Sequence, residues 1–372
     1  MNIQANRLDR GFFKYQEEFE NAAISTLRSG WYVLGNEVSA FETEFAEYTK
    51  AKYCVALASG LDALWIAFRL LGIGNGDEVI VQGNAYIACV MGITINGATP
   101  VFVEPDNYFN LDTTKIKAAV TKKTKAILVV HLYGQAANMT AVMQIAKEHN
   151  LYVVEDCAQS HGAHFAGQMT GTFGDIGCFS FYPSKNLGAF GDGGAIVTNN
   201  ESIADKFKVF RNYGSEKRYY NRVVGTNSRL DELQAALLRV RLKHLNELND
   251  ERKCLCEKYL GQINNPLIEL PLITQGAETV WHQFVIKIKY RAEFVEYLNA
   301  KQIGSIIHYP IPPHLSEAYA YLGFSEGDFP ITELYADTVL SLPLYNGMTD
   351  EEIDYVIEII NNYSEVNENE HN

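Results

Sequence analysis

The sequence predicts an α/β fold, with a mostly parallel seven-stranded sheet in a large domain and a smaller α+β domain at the carboxyl end. Three observations predict it. Short apolar runs rich in Val, Ile and Phe alternate with helical patterns up to about residue 211. After residue 225 the pattern changes to apolar residues three and four apart. The chain has 372 residues, enough for two domains at roughly 100–200 residues each.

The elements follow in order. A helix over 15–28 precedes the sheet and is expected to pack on the small domain or on a partner. Strands are predicted over 53–57, 78–81, 99–103, 126–130, 152–155, 176–182 and 194–198. Helices over 61–71, 85–96, 113–120, 141–150 and 201–211 join most of them, which implies parallel pairing. No helix separates the last two strands, so one strand is expected to run against the rest. Leu230, Leu233, Leu237, Val240, His244 and Leu248 describe one amphipathic helix running from near Ser228 to Tyr259. Beyond it come a strand over 283–288, a helix over 292–301, a strand over 305–308 and a last helix over 350–361. The division is a large domain over 1–245 with an amino-terminal helical arm, a small domain over 246–363 and a polar, disordered tail over 364–372.

Composition excludes several classes of function. Hydrophobic residues make up 47% and charged residues 20%, the balance of an ordinary globular protein. The net charge of −14 repels phosphate backbones and anionic lipid, so nucleic acid and membrane are not expected as partners. No apolar run approaches the ~20 residues of a membrane helix. MNIQANRLDRG lacks the apolar core of a signal peptide, and a cytoplasmic location is expected. The Cys residues at 54, 89, 157, 178, 254 and 256 read as free thiols in a reducing compartment. The His residues show no metal-ligand spacing, and no metal is expected.

Three segments carry chemistry. In Ala58-Ser59-Gly60-Leu61-Asp62 small residues lead from a strand straight into a helix, whose first amides and dipole suit a phosphate. Taken alone, Ser59 reads as a plain helix cap. In Val153-Val154-Glu155-Asp156 an apolar strand ends in two acids at the edge where open α/β sheets bind ligands. A carboxylate buried there needs a cation, either a protonated pyridine or an Arg. In Phe179-Ser180-Phe181-Tyr182-Pro183-Ser184-Lys185 a Lys follows an aromatic strand and precedes a glycine-rich loop. Desolvation at such a corner frees an amine as nucleophile, whereas an isolated Lys is ordinarily a solvated charge. Together a phosphate cradle, an acid and a Lys are the three grips that pyridoxal 5′-phosphate needs. Arg211, Lys217, Arg218 and Arg222, interleaved with Tyr213, Tyr219 and Tyr220, suit a diphosphate carrying a flat base, or else an ordinary loop paired with surface acids.

SGLDAL, VEDCAQSHGA, SFYPSKNLGAFGDGG, GTNSRLDELQAA and IIHYPIPPHLSEAY together resemble the DegT/DnrJ/EryC1/StrS sugar aminotransferases over nearly the whole chain. The resemblance implies the aspartate-aminotransferase fold (PLP fold type I). It implies Lys185 as the covalent cofactor lysine and Asp156 as the partner of the pyridine nitrogen. Gln159 is implied on the ring hydroxyl, and Gly60, Leu61 and Ser180 on the phosphate. Tyr86 is implied on the ring face, where the family often has Phe. Leu61 departs from the commoner Thr and keeps only the amide contact. Asn227 is implied to reach the cofactor phosphate of a neighbouring subunit, which makes a homodimer the active unit. Tyr182, Tyr220, His308 and Tyr309 match positions lining a nucleotide-sugar pocket.

The ending of the chain is most similar to enzymes that aminate carbon 3 of dTDP-linked 3-keto-6-deoxyhexoses. L-glutamate is the implied donor, the pyridoxamine form the intermediate, and a deoxyaminosugar for O-antigen (lipopolysaccharide) or S-layer glycan the product. Amination at carbon 4 of a UDP- or GDP-4-keto sugar is the alternative, and a silent sugar-nucleotide binder a further one. A nicotinamide-dependent dehydrogenase fits poorly, because Gly72-Ile73-Gly74-Asn75-Gly76 follows a helix and precedes a strand, the reverse of a dinucleotide fingerprint. A pyridoxamine-dependent dehydratase of this fold carries His where this chain has Lys185.

Overall fold

A computed structural model describes residues 1–364. Its centre is a seven-stranded sheet of β1 (Tyr53–Leu57), β2 (Glu78–Gln82), β3 (Thr99–Val103), β4 (Thr124–Val130), β5 (Tyr152–Asp156), β6 (Ile176–Ser180) and β7 (Gly194–Thr198). Their spatial order is β1-β7-β6-β5-β4-β2-β3. All neighbours pair in parallel except at β7, which runs against both β1 and β6. That is the reversed strand expected where β6 and β7 follow each other without a helix.

The strands of this sheet are buried almost throughout, as continuous Val, Ile and Ala runs require when helices cover both faces. One side is packed by α4 (Gly60–Leu70), α5 (Ile87–Thr94) and α8 (Glu201–Phe210). On the other side, α3 (Asn36–Thr49) and α9 (Glu232–Lys243) pack at one end and α7 (Met139–His149) at the other. The helix α2 (Gln16–Ser29) lies on α9 through Phe19, Leu237 and Val240. A separate apolar core joins α10 (Leu245–Gln262), the antiparallel strands Phe284–Lys287 and Val339–Leu342, α11 (Arg291–Ala300) and α13 (Asp350–Asn361). Ile3 from the amino end enters this core, and Arg10 pairs with Glu352 on α13. Thr349 and Glu352 form a capping box that starts α13.

Two expectations are corrected. The helix expected from Ser228 to Tyr259 is broken at His244, whose φ of −104° and ψ of 3° leave the helical region. The His244 ring instead stacks on Tyr15 at 3.8 Å and bonds Glu18 at 2.9 Å, so the bend docks the amino-terminal helix. The strand expected over 305–308 is reduced to one bridge, Ile306 with Ser341, because Phe284–Lys287 takes Val339–Leu342 as its partner. The disordered tail expected over 364–372 lies, after residue 364, outside the described residues.

Candidate active site

Parallel strands deliver their carboxyl ends to one edge, and β1, β5 and β6 bring the three chemical segments together there. They line a cleft of about 470 Å³. Of the expected residues, Gly60, Leu61, Tyr86, Asp156, Gln159, Ser180, Tyr182, Lys185, His308 and Tyr309 all line it. Tyr220 and Asn227 do not line this chain's cleft, and both are exposed.

At the cleft floor Ser59 caps α4, its hydroxyl accepting from the Asp62 amide at 3.1 Å. That leaves the amides of Gly60 and Leu61 at the dipole-positive end of the helix. The approach is tight: a Cβ on Gly60 would lie 2.5 Å from that of Ser180. Only glycine lets this helix start meet the end of β6.

The two acids that end β5 point to opposite faces, as the period of a strand dictates. Glu155 is spent on structure. It accepts from the amides of Gly171, Phe173 and Gly174 and pairs with His131 at 2.9 Å. Asp156 faces the cleft, with Oδ1 accepting from the Ala158 amide and Oδ2 from the Cys89 thiol, each at 2.9 Å. Gln159 is pinned through Oε1 by the Tyr133 amide at 2.6 Å, and its Nε2 donates to the Tyr309 hydroxyl at 3.1 Å. Tyr86 and Tyr309 hold their ring centroids 5.0 Å apart across the mouth.

Lys185 closes a tight turn, its amide donating to the Tyr182 carbonyl at 2.8 Å with Pro183 at the corner. Its Nζ makes no hydrogen bond or ion pair among the described residues. Burial pushes the amine down to about 8 from 10.5, while the charge of Asp156 opposes that shift. Burial, and next the Lys185 charge, also lowers His308 to about 4 and holds His282 well below the usual range, so both rings are neutral at pH 7.

Three residues of this site were not foreseen. His282 reaches the cleft wall beside Lys185. Asn186 donates through Nδ2 to the Val280 carbonyl, which fixes its oxygen as the acceptor for His282 Nδ1–H and leaves Nε2 of the neutral ring an acceptor. Gln283 bonds His308, which bonds Ser341 in turn. Cys89 touches Asp156. His282 and Gln283 sit at a strand start with no motif around them, and Cys89 reads as one more apolar helix residue. The basic cluster is corrected in part. Arg211 is buried against Glu42 and the Ala56 carbonyl, and Arg222 pairs with Glu216. Lys217 and Arg218 remain, each over a tyrosine ring, Tyr220 and Tyr219.

The site fits a phosphorylated pyridine aldehyde on three counts. The Gly60 cradle has room for an anion and none for a side chain. A buried carboxylate faces the cleft, and among the described residues no cation is bonded to it. A lysine amine with a lowered pKa stands free on the same wall.

The model of the DegT/DnrJ/EryC1/StrS aminotransferase family matches residues 14–361. The dTDP-3-amino-3,6-dideoxy-alpha-D-galactopyranose transaminase of Aneurinibacillus thermoaerophilus is 50% identical over 94% of this chain and 96% of its own. The crystal structure of S. venezuelae DesV in complex with a ketimine intermediate superposes with a TM-score of 0.95 at 43% identity, over 97% of this chain and 98% of that one. That of NtdA from Bacillus subtilis, with bound cofactor PMP, superposes with a TM-score of 0.89 at 34% identity, over 95% and 83%.

Proposed function

Since the chain belongs to the DegT/DnrJ/EryC1/StrS aminotransferase family and is a pyridoxal-phosphate-dependent sugar aminotransferase, we propose that it aminates carbon 3 of a dTDP-linked 3-keto-6-deoxyhexose, with L-glutamate as donor. The observation that carries the substrate is the 50% identity to the transaminase that acts at that carbon, over nearly the full length of both chains. The product is a 3-amino-3,6-dideoxyhexose for a surface glycan. Among the described residues no helix is long and apolar enough to cross a membrane, and we place the enzyme in the cytoplasm, where nucleotide sugars are made.

When bound, the cofactor supplies an electron sink for the carbanion formed in each half-reaction. Gly60, Leu61 and Ser180 would hold its phosphate, Asp156 its pyridine nitrogen, Gln159 its hydroxyl and Tyr86 its ring face. Lys185 would hold it through Nζ, the buried amine on the cleft wall. Its free Nζ would take the proton from the donor's α carbon. In the second half the same Nζ returns a proton to carbon 3 of the sugar. Its low pKa suits both tasks, since a base and acid near neutrality loses little in either direction. His308, Tyr309 and Tyr182 line the cleft, and we assign them to the sugar, which they would orient toward Lys185.

The test is turnover of a panel of dTDP-, UDP- and GDP-linked 3-keto and 4-keto deoxyhexoses with glutamate, the products placed by NMR. Amination at carbon 3 of the dTDP sugar is expected. Preferential amination at carbon 4 would overturn the substrate reading and leave the cofactor reading standing.

The active unit of this proposal is a homodimer. Asn227 is exposed and away from its own cleft, which suits a role on the neighbour's phosphate, and Trp31 and Tyr32 offer exposed aromatic surface for a second copy. Mixing Lys185→Ala protein with Asn227→Ala protein is expected to give more activity than the two alone, because each hybrid dimer carries one site with both native residues. No gain on mixing, with hybrids shown to form, would place Asn227 outside the partner's site.

A further inference from the structure

Asp156 is held by two donors of different kinds. The Ala158 amide belongs to its own strand end, while the Cys89 thiol comes from the first turn of α5. Cys89 is 1% exposed and Asp156 6%, so water does not replace either contact. The amide of Cys89 bonds the carbonyl of Tyr86 at 2.9 Å, which ties the thiol and the ring-face tyrosine to one rigid turn. Burial and the neighbouring carboxylate push the Cys89 thiol well above its ordinary range. It is therefore the donor, and Oδ2 the acceptor.

We propose that Cys89 is a positioning residue for the cofactor's counter-ion: its thiol holds Asp156 Oδ2 toward the ring nitrogen. The assignment rests on the pyridoxal-phosphate reading given above. A carboxylate oxygen has two acceptor sites, and a thiol is a weak donor. Cys89 can thus occupy one site of Oδ2 and leave the other to a protonated pyridine nitrogen. Without the thiol, Oδ2 has one fewer donor in a wall made of Val130, Leu132 and Cys178 side chains, and the carboxylate loses its fixed angle. The same turn would then set both the face and the edge of the ring, through Tyr86 and through Cys89 acting on Asp156.

The experiment is a double-mutant cycle read by pyridoxamine phosphate affinity, in which no covalent bond to Lys185 contributes. The protein is stripped of cofactor and titrated by fluorescence. Cys89→Ala is expected to weaken binding about three- to tenfold, the worth of one hydrogen bond. Cys89→Ser, which keeps a donor, is expected to stay within about twofold of wild type. In an Asp156→Asn background, Cys89→Ala is expected to add no loss. Should Cys89→Ala fail to fold, Cys89→Val fills the space without a donor and serves the same arm. Wild-type affinity in Cys89→Ala, equal losses in Cys89→Ala and Cys89→Ser, or an undiminished loss in the Asp156→Asn background would each overturn the proposal. Wild-type protein that takes up no pyridoxamine phosphate would overturn the cofactor reading, and this assignment with it.

Discussion

Lys185→Ala and Lys185→Gln lose turnover by about 10³-fold or more, the worth of a positioned proton-transferring group. Nζ stands on the cleft wall with no ion pair or hydrogen bond among the described residues. Burial has already lowered its pKa to about 8, which leaves an appreciable neutral fraction near pH 7 and about half at pH 8. The sign follows: a neutral amine is the nucleophile, so covalent uptake of cofactor by the stripped protein speeds up as pH rises through about 8. A solvated lysine would show the same rise two units or more higher, near its ordinary 10.5. Lys185→Arg does not restore turnover, because a guanidinium stays protonated. Stopped-flow absorbance from pH 6 to 10 reads the uptake, and steady-state assay reads the variants. A variant without the lysine that keeps more than a tenth of wild-type turnover contradicts the assigned role.

Asp156→Asn folds, retains cofactor weakly and loses about 10²–10³-fold in kcat, a typical cost of removing one preorganised electrostatic group. The amide oxygen can still accept from Ala158, so the local frame survives. Its NH₂ group, however, meets the ring nitrogen as donor against donor, and no charge remains to hold the nitrogen protonated. The loss therefore falls on kcat more than on KM for the sugar, because Asp156 is assigned to the ring nitrogen and not to the sugar. Melting temperature and kcat measured together check this. A near-normal kcat in a folded Asp156→Asn protein would mean that another group protonates the ring.

The contrast between Glu155 and Asp156 shows what a sequence can and cannot disclose. The strand end VVED marks the edge of the sheet, and alternation says that the two acids part company. Which one faces the cleft depends on where the 171–174 loop returns its amides, and that loop has no pattern of its own. Strand and helix cores were legible because burial on both faces writes long apolar runs. The break at His244 was not, because no Pro or Gly marks it and the cause is a ring contact with Tyr15, some 230 residues away in sequence. The strand Val339–Leu342, which pairs with Phe284–Lys287, was not foreseen; its Leu340 and Leu342 join the same core as α13. In the site, lysine, acid, glutamine and glycine announce themselves by motif. His282, Gln283 and Cys89 act through contacts made across long stretches of chain, and a lone residue carries no spacing to read.

The central claim is that Lys185 Nζ bonds the cofactor. Borohydride reduction of the protein with pyridoxal phosphate, followed by peptide mapping, tests it most directly. A single pyridoxyl-labelled peptide is expected, with the label on position 185. A label on any other lysine, or no label in a protein that still transaminates, would contradict it.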